Sequence, residues 1–555
     1  MDNYRLLLAL LLSLGIVFLY NQLLEWRHPE LAHPHPKTAL FATPAPANTP
    51  AAAQAGGAPS AFAQTGAAAA QATISAAPTG RSIVIDTDLY RAKITTRGGR
   101  IESFRLKKYR ETSAANSPLY QMVPHSERWP LGLLVERAGA TVDDSGVAYA
   151  TSAPDHLTAI PGGDAKLTLV GATPDGITLR KTFDFRNGDY VFAVEASASA
   201  ISGAKPDAVG LTISRPLAAS IGYRDIPELQ ALVANKTVTE LQKALQKGVA
   251  PVSGPITYAG FGDRYFLSVV MPVKPVEGAL AMDYVGDEAD AHIVFTGAAS
   301  MATQVYFGPK ELDILEAANP ALRKAIDFGW LGIIALPFLQ LLELFHRIAP
   351  NYGVAIILLT IVVRLATLPM SIKGQRSMMK MQRLQPQVER IREKFKDDQE
   401  RLNREMVDLY KRNHVNPLGG CLPMAVQLPV FIALYEALLN AIQLRHAPFF
   451  GWIKDLSAPD CLPAAWMPRL PYLDCHGIPV LVGLLVITGF LQQRMAPRQP
   501  DPSQQKMMMY MPIVFSLIFV NLPAGLTLYY LASNVLGIAQ QFVLNREFKQ
   551  LPPTT

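Results

Sequence analysis

Arg364 stands inside an otherwise apolar stretch, Tyr352 to Pro369, about as long as one bilayer-spanning helix. A guanidinium at that depth is costly, so it normally faces protein or a water-filled cavity and marks a functional site. Thr360, Arg364 and Thr367 are spaced i, i+4 and i+7, which puts all three on one helical face. The chemistry on offer is a fixed positive charge for an anionic group. A second reading also stands: Arg364 lies about five residues from Pro369, roughly 8 Å, and its long side chain could snorkel to the interface.

Other polar residues fall at matching depth. Gln427 lies about seven residues, roughly 10 Å, into its own apolar segment. Thr527, Tyr530, Asn534 and Gln541 fall near one face of the last apolar segment. Hydrogen bonds between helices would account for such residues one at a time. Several polar faces together with an arginine point instead to a hydrated cavity. No acidic residue offers a partner at that depth, since Glu436 is about 16 residues into its segment and nearer the other side. No C-x-x-C or Cys/His cluster is present, so no metal site is expected. His33 and His35 fall in a low-complexity linker. There is no Walker motif, and no carboxylate pair can be assembled for hydrolysis. Neither a cofactor nor an enzyme activity is expected.

Half of the 555 residues are hydrophobic and 17% are charged, with a net charge of +6. This is too apolar for an ordinary soluble protein and too polar for one wholly within a membrane. Several spans plus a soluble domain fit. Residues 1–27 read as an uncleaved signal anchor around the apolar run Leu6 to Leu24; a cleaved signal peptide is the other reading. Residues 28–80, rich in Ala and Pro, cannot bury a core and form a tether. Residues 81–320 alternate as strands do, as in Ile177 to Phe185, with turn pairs Asp175-Gly176 and Asn187-Gly188. They predict an antiparallel β-sandwich with one helical segment near Ile226 to Lys247. Residues 327–348 suit an amphipathic interfacial helix.

Residues 351–370 form the span of Arg364. Within 418–545, four more are expected near Gly420–Gln443, Gly477–Gln493, Met507–Leu522 and Ala524–Leu544, making six with the anchor. Residues 546–555 are a short tail. Between Ser371 and Val415 there are 12 Lys/Arg against 7 Asp/Glu, and Arg494 to Lys506 carries 3 against 1. The loop His446 to His476 carries 2 against 3. The basic loops are therefore cytoplasmic, as are both termini, and the β domain lies outside. In a Gram-negative cell that compartment is the periplasm.

Residues 371–415 read as a helical hairpin with its turn at Lys396 to Gln399. Val388, Ile391 and Phe395 share one face; Leu402, Met406 and Leu409 share another. The segment Lys373–His414 is basic and carries Met378, Met379 and Met381 near its start. It could dock a partner, merely join two spans, or attract anionic lipid. Cys461 and Cys475 bracket Leu462 to Asp474 on the external side, where a disulfide is permitted; two independent thiols are the alternative. Cys421, at the cytoplasmic end of its span, should stay reduced.

Asn416 to Pro423 followed by Gln427 to Tyr435 resembles a signature of the YidC/Oxa/Alb family of membrane protein insertases. So do Asp501 to Pro512, Pro523 to Asn534, Gly308-Pro309-Lys310 and Asp327 to Leu331. The likeness spans essentially the whole chain in order, most thinly in the tether and the β domain. Six spans with a large domain after the first resemble the Gram-negative form. The fold it implies is a polytopic α-helical membrane protein of six transmembrane helices with a large periplasmic antiparallel β-sandwich. The resemblance also implies an inner-membrane insertase and chaperone, acting alone or with the Sec translocon. Its hydrophilic groove would open to cytoplasm and lipid, with Arg364 as the groove arginine and Thr360, Gln427, Tyr530 and Asn534 around it. The hairpin Lys373–His414 would receive substrates. Implied partners are nascent inner-membrane proteins, the Sec translocon, ribosome or signal recognition particle machinery, and lipids. The β domain resembles sugar-mutarotase sandwiches, a likeness of fold that carries no activity. Glu436, Cys461 and Cys475 depart from the family pattern.

A transporter or channel using Arg364 as an anion site is the competing function. The absence of an internal repeat and the long basic hairpin count against it.

Overall fold

The computed structural model describes residues 80–555, except 124–127, 138, 161–162, 201–205, 217–227, 242–251, 274–275, 286–287, 297–298, 327, 414, 416–421, 465–476, 497–501 and 551–555. The anchor and tether expected within 1–80 therefore lie outside the described residues, Gly80 excepted. The chain divides into two compact units, with the boundary between Ile326 and Asp327.

The first unit is built from strands. Among the described residues these form a five-stranded and a thirteen-stranded sheet. Alternation in Ile177–Arg186 turns Ile177, Leu179, Phe183 and Phe185 inward. Asn187-Gly188 turns this strand into Val191–Ala200, with Gly188 at φ 83, a conformation a side chain would strain. The buried faces of the two sheets meet. Phe104 of the smaller sheet stands 6.0 Å from Phe192 and 5.2 Å from Phe307 of the larger, and Tyr90 stands 6.4 Å from Phe185. Each such pair adds about 0.5–1.5 kcal/mol beyond its burial. Among the described residues of this unit the strand pairings are antiparallel with one exception, Ser82–Asp86 beside His156–Thr158.

The same alternation points Lys181 into the core. Its Nζ lies 2.5 Å from Asp144 Oδ2 and donates to the carbonyls of Gly98 and Leu131 at 2.7 and 2.8 Å. Arg100 bridges Asp143 at 2.6 Å and Asp144 at 3.3 Å. Burial lowers the Lys181 pKa, and the Asp144 carboxylate opposes that shift. Removing one member of so buried a set typically costs about 3–5 kcal/mol.

The helix expected near Ile226 to Lys247 is corrected to a β-hairpin over its described part. Glu228–Val233 pairs with Lys236–Leu241, and the turn residues Ala234 and Asn235 have φ of 49 and 62. The Leu, Gln, Ala and Lys content suggested a helix. Pairing of Glu228–Val233 with Val252–Gly262 outweighs that weak local preference. A helix of this unit is α1, Leu312–Ala318.

The second unit is helical. In chain order its described helices are α2 Gly332–Ile348, α3 Tyr352–Arg383, α4 Gln385–Lys394, α5 Gln399–Arg412, α6 Leu422–Asn440, α7 Val480–Met495, α8 Pro502–Ile518 and α9 Ala524–Gln550. Among the described residues α3 is the helix long and apolar enough to cross a membrane; Val426–Asn440, Val480–Met495 and Met508–Asn521 are shorter apolar helices. On α2, Ala335, Leu339 and Leu342 are buried while Ile333 and Ile348 are exposed. Gln340 and Arg347 are exposed beside them.

Asn351 starts α3 by accepting hydrogen bonds from the amides of Gly353 and Val354 at 2.9 and 3.2 Å. The helix does not end near Met370, as expected from Pro369. It runs on to Arg383, 32 residues in all from Tyr352. Proline removes one i→i−4 bond and leaves those of the flanking turns. The basic segment from Lys373 to Arg383 is therefore a continuation of α3, and the hairpin proper is α4 and α5. Its turn lies where expected, with Asp398 capping α5 through the amide of Arg401 at 3.0 Å. Val388 is fully buried, and Leu402, Met406 and Leu409 are half-buried.

Candidate polar cavity beside Arg364

Helices α3 and α9 run in parallel. Arg364 meets Ser533, Ser371 meets Gln540 at 3.0 Å, and Arg376 meets Glu547 at 3.5 Å, so both chains advance together. The first two pairs are each 169 residues apart in sequence. Close approach is possible at the start of the seam because α9 carries Gly525, where an added Cβ would lie 3.2 Å from Ile356.

Arg364 is half-buried. Its Nε donates to Ser533 Oγ at 2.9 Å and its Nη2 to the Ser533 carbonyl at 2.7 Å. Both acceptors are neutral, so they orient the guanidinium without cancelling its charge. Of its five N–H donors these take two. Beside it lies a cavity of about 40 Å³ lined by Arg364, Thr367, Met370, Ser371, Val426 and Gln427. That is room for about three waters, each needing on the order of 10–15 Å³.

The five residues expected around one cavity divide. Arg364 and Gln427 line it, from α3 and the second turn of α6. Gln427 also donates to the Tyr529 hydroxyl at 3.4 Å. Thr360 is fully buried, and its hydroxyl donates back to the Ile356 carbonyl at 2.7 Å. Tyr530 belongs to an aromatic group, with ring centroids 5.3 Å from Phe431, 5.2 Å from Phe515 and 4.8 Å from Phe519. Asn534 is half-buried on α9, next to Ser533. Sequence reasoning missed Ser533 as the arginine's partner and Ser371 as a lining residue. Ser371 was findable, because it continues the stripe of Arg364 and Thr367 by one more turn.

On the loop between α6 and α7, Asp460 is buried and ties two segments. It accepts from Trp452 Nε1 at 2.7 Å and from the amide of Leu481 in the first turn of α7. Burial raises its pKa against these bonds. The carbonyls of Leu456 and Ala458 receive the amides of Gly525 at 2.8 Å and Ala524 at 2.7 Å, at the start of α9. Cys461 is disulfide-bonded. Cys475, Cys421 and His414 lie outside the described residues. An added Cβ on Gly477 would lie 2.9 Å from Cys461 Sγ.

Two family models match the chain. One, described as 60Kd inner membrane protein, covers residues 344–551; the other, described as YidC periplasmic domain, covers residues 82–341. Membrane protein insertase YidC of Geotalea daltonii is 35% identical, over 86% of this chain and 89% of that protein. The protein of the same name from Citrifermentans bemidjiense is 36% identical over 98% and 99%. A solved active YidC insertase with its first transmembrane domain resolved is similar at TM-score 0.36 and 17% identity, covering 84% of this chain and 94% of that one. A galactose mutarotase-like protein from Lactobacillus casei is similar at TM-score 0.27 and 12% identity, over 41% of this chain and 100% of its own.

Proposed function

This chain belongs to the YidC family of membrane protein insertases, and on that premise we propose that its cavity at Arg364 is where the polar segment of a substrate enters the membrane. The family is one of bacterial inner-membrane proteins whose activity is insertion and not enzymatic catalysis. Its substrates are nascent membrane proteins.

The observation that carries the proposal is an arginine held by neutral acceptors at a small polar cavity within an apolar helix. A polar segment crossing hydrocarbon leaves its backbone groups unsatisfied, at several kcal/mol each in the limit. A hydrated groove beginning at Arg364 and Gln427 shortens that path, and a net positive charge attracts an acidic segment. Thr360, Tyr530 and Asn534 sit on the helices that wall this groove. The hairpin Lys373–His414 docks the incoming chain. Six spans, cytoplasmic termini and a periplasmic β domain complete the arrangement, supported by the Lys/Arg bias of the loops. A Cys461–Cys475 bridge fastens the external loop. Work with the Sec translocon, and delivery by ribosome or signal recognition particle, follow from the same reading.

Reconstitution of the purified chain in liposomes with a short single-span substrate tests it. Protease protection of the translocated segment is expected, without nucleotide. A chain that conducts anions but protects no substrate would replace this reading by the channel.

A further inference from the structure

Arg364 owes its position to a residue outside the cavity. The carbonyl of Ser533 accepts the amide of Gly537 within α9, as helical geometry requires, and has a second lone pair to offer. A helical side chain covers the turn before its own Cα. Residue 537 therefore decides whether the Ser533 carbonyl is open to a neighbour. Here it is glycine and buried, so the carbonyl is bare, and Arg364 Nη2 reaches it at 2.7 Å. A Cβ added at 537 would lie 3.2 Å from that Nη2 and 2.8 Å from Gln492 Nε2 of α7. The Gln492 amide is the far end of a flexible side chain and can swing away. The guanidinium is also held at Nε by Ser533 Oγ, 2.9 Å away, so it yields only by giving up a hydrogen bond.

We infer that Gly537 is a positioning residue for the insertase reaction: it keeps the Ser533 carbonyl uncovered, so that Arg364 is held with its charge at the cavity. This rests on the proposed role of Arg364. It adds that the charge alone is insufficient and that its placement is set from α9. Selectivity for acidic translocated segments is then a property of the Arg364–Ser533–Gly537 set.

The test uses the full-length chain in liposomes and two single-span probes that differ only in an acidic or a neutral translocated segment. Gly537→Ala and Gly537→Val are compared with Arg364→Ala, alone and combined with it. The valine variant is expected to lower insertion of the acidic probe to the level of Arg364→Ala while sparing the neutral probe, with alanine intermediate. In the Arg364→Ala background Gly537→Val should change insertion by less than about twofold, because the two act as one unit. Equal loss on both probes, or an undiminished loss in the Arg364→Ala background, would make Gly537 a packing residue only. Should the valine variant fail to accumulate, Gly537→Ala decides alone, and wild-type insertion of the acidic probe by it overturns the inference. If Arg364→Ala itself treats both probes alike, it is the charge reading of the cavity that has failed.

Discussion

Arg364 is bound by a hydroxyl and a main-chain carbonyl, neither of which neutralises it. Its interaction with an incoming carboxylate is correspondingly strong, since hydrogen bonds to charged groups contribute about 1.5–3 kcal/mol. Arg364→Ala is therefore expected to lower insertion of a substrate with an acidic translocated segment by roughly tenfold or more, and that of a neutral one much less. Arg364→Lys should retain most of the activity, because an ammonium keeps the charge, needs no bidentate fork to attract a carboxylate, and can still be placed by donating to the uncovered Ser533 carbonyl. Comparable insertion of the acidic substrate by the alanine variant would remove charge attraction from the mechanism. Arg364 and Gln427 could be placed at one depth from the sequence because helical rise is fixed at 1.5 Å per residue. Ser533 could not be assigned to Arg364 that way. Which residues meet across two helices depends on their register, and nothing local to either segment encodes it. Thr360 shows the converse limit: periodicity put it on the arginine's face, but a buried threonine can satisfy its hydroxyl on its own helix.

At the scale of elements, the hairpin α4–α5 carries the clearest expectation. Its ion pairs Glu400–Arg404 and Asp408–Arg412 are exposed and contribute only a few tenths of a kcal/mol each. Its stability instead comes from a thin apolar seam with Val388 at its centre. Replacing residues 385–412 with a short Gly/Ser loop should leave the remaining helices assembled and extractable, yet abolish insertion. Insertion at the wild-type rate would reduce the hairpin to a connector. Periodicity revealed the hairpin and its turn. It misjudged the end of α3, because proline is a strong local signal and the continuity of a helix is a property of its neighbouring turns. The segment Glu228–Leu241 failed for a related reason. Its helix-forming composition yields to a strand that lies beyond it in sequence, Val252–Gly262.

For the whole molecule, the expected compartments lead to a chemical test. Cys461 is bonded, and Gly477, two residues beyond Cys475, lies against its sulfur. Closing a loop of about 15 residues contributes roughly 3 kcal/mol in the chain-entropy model. Mass spectrometry of a non-reduced, alkylated digest should find Cys461 joined to Cys475, with Cys421 alkylated. Free Cys461 and Cys475 in protein from an oxidising compartment would contradict both the bridge and the external placement of the loop. Cys461→Ser should remain active, since Cys461 is not among the residues that line the cavity. The division into an alternating β region and apolar helices was legible because the two periods, 2 and 3.6, differ so plainly. The sheet order was not, because strand pairing joins segments far apart in the chain. One consequence follows from the unbroken run of α3 past Pro369. Arg364 and the hairpin stand at two points of a single rod, 19 residues apart at Arg383, which is about 28 Å along the axis. Their relative azimuth is thus fixed by residue number: each residue added between them would rotate the hairpin by about 100° about that axis, and only whole turns would restore its phase.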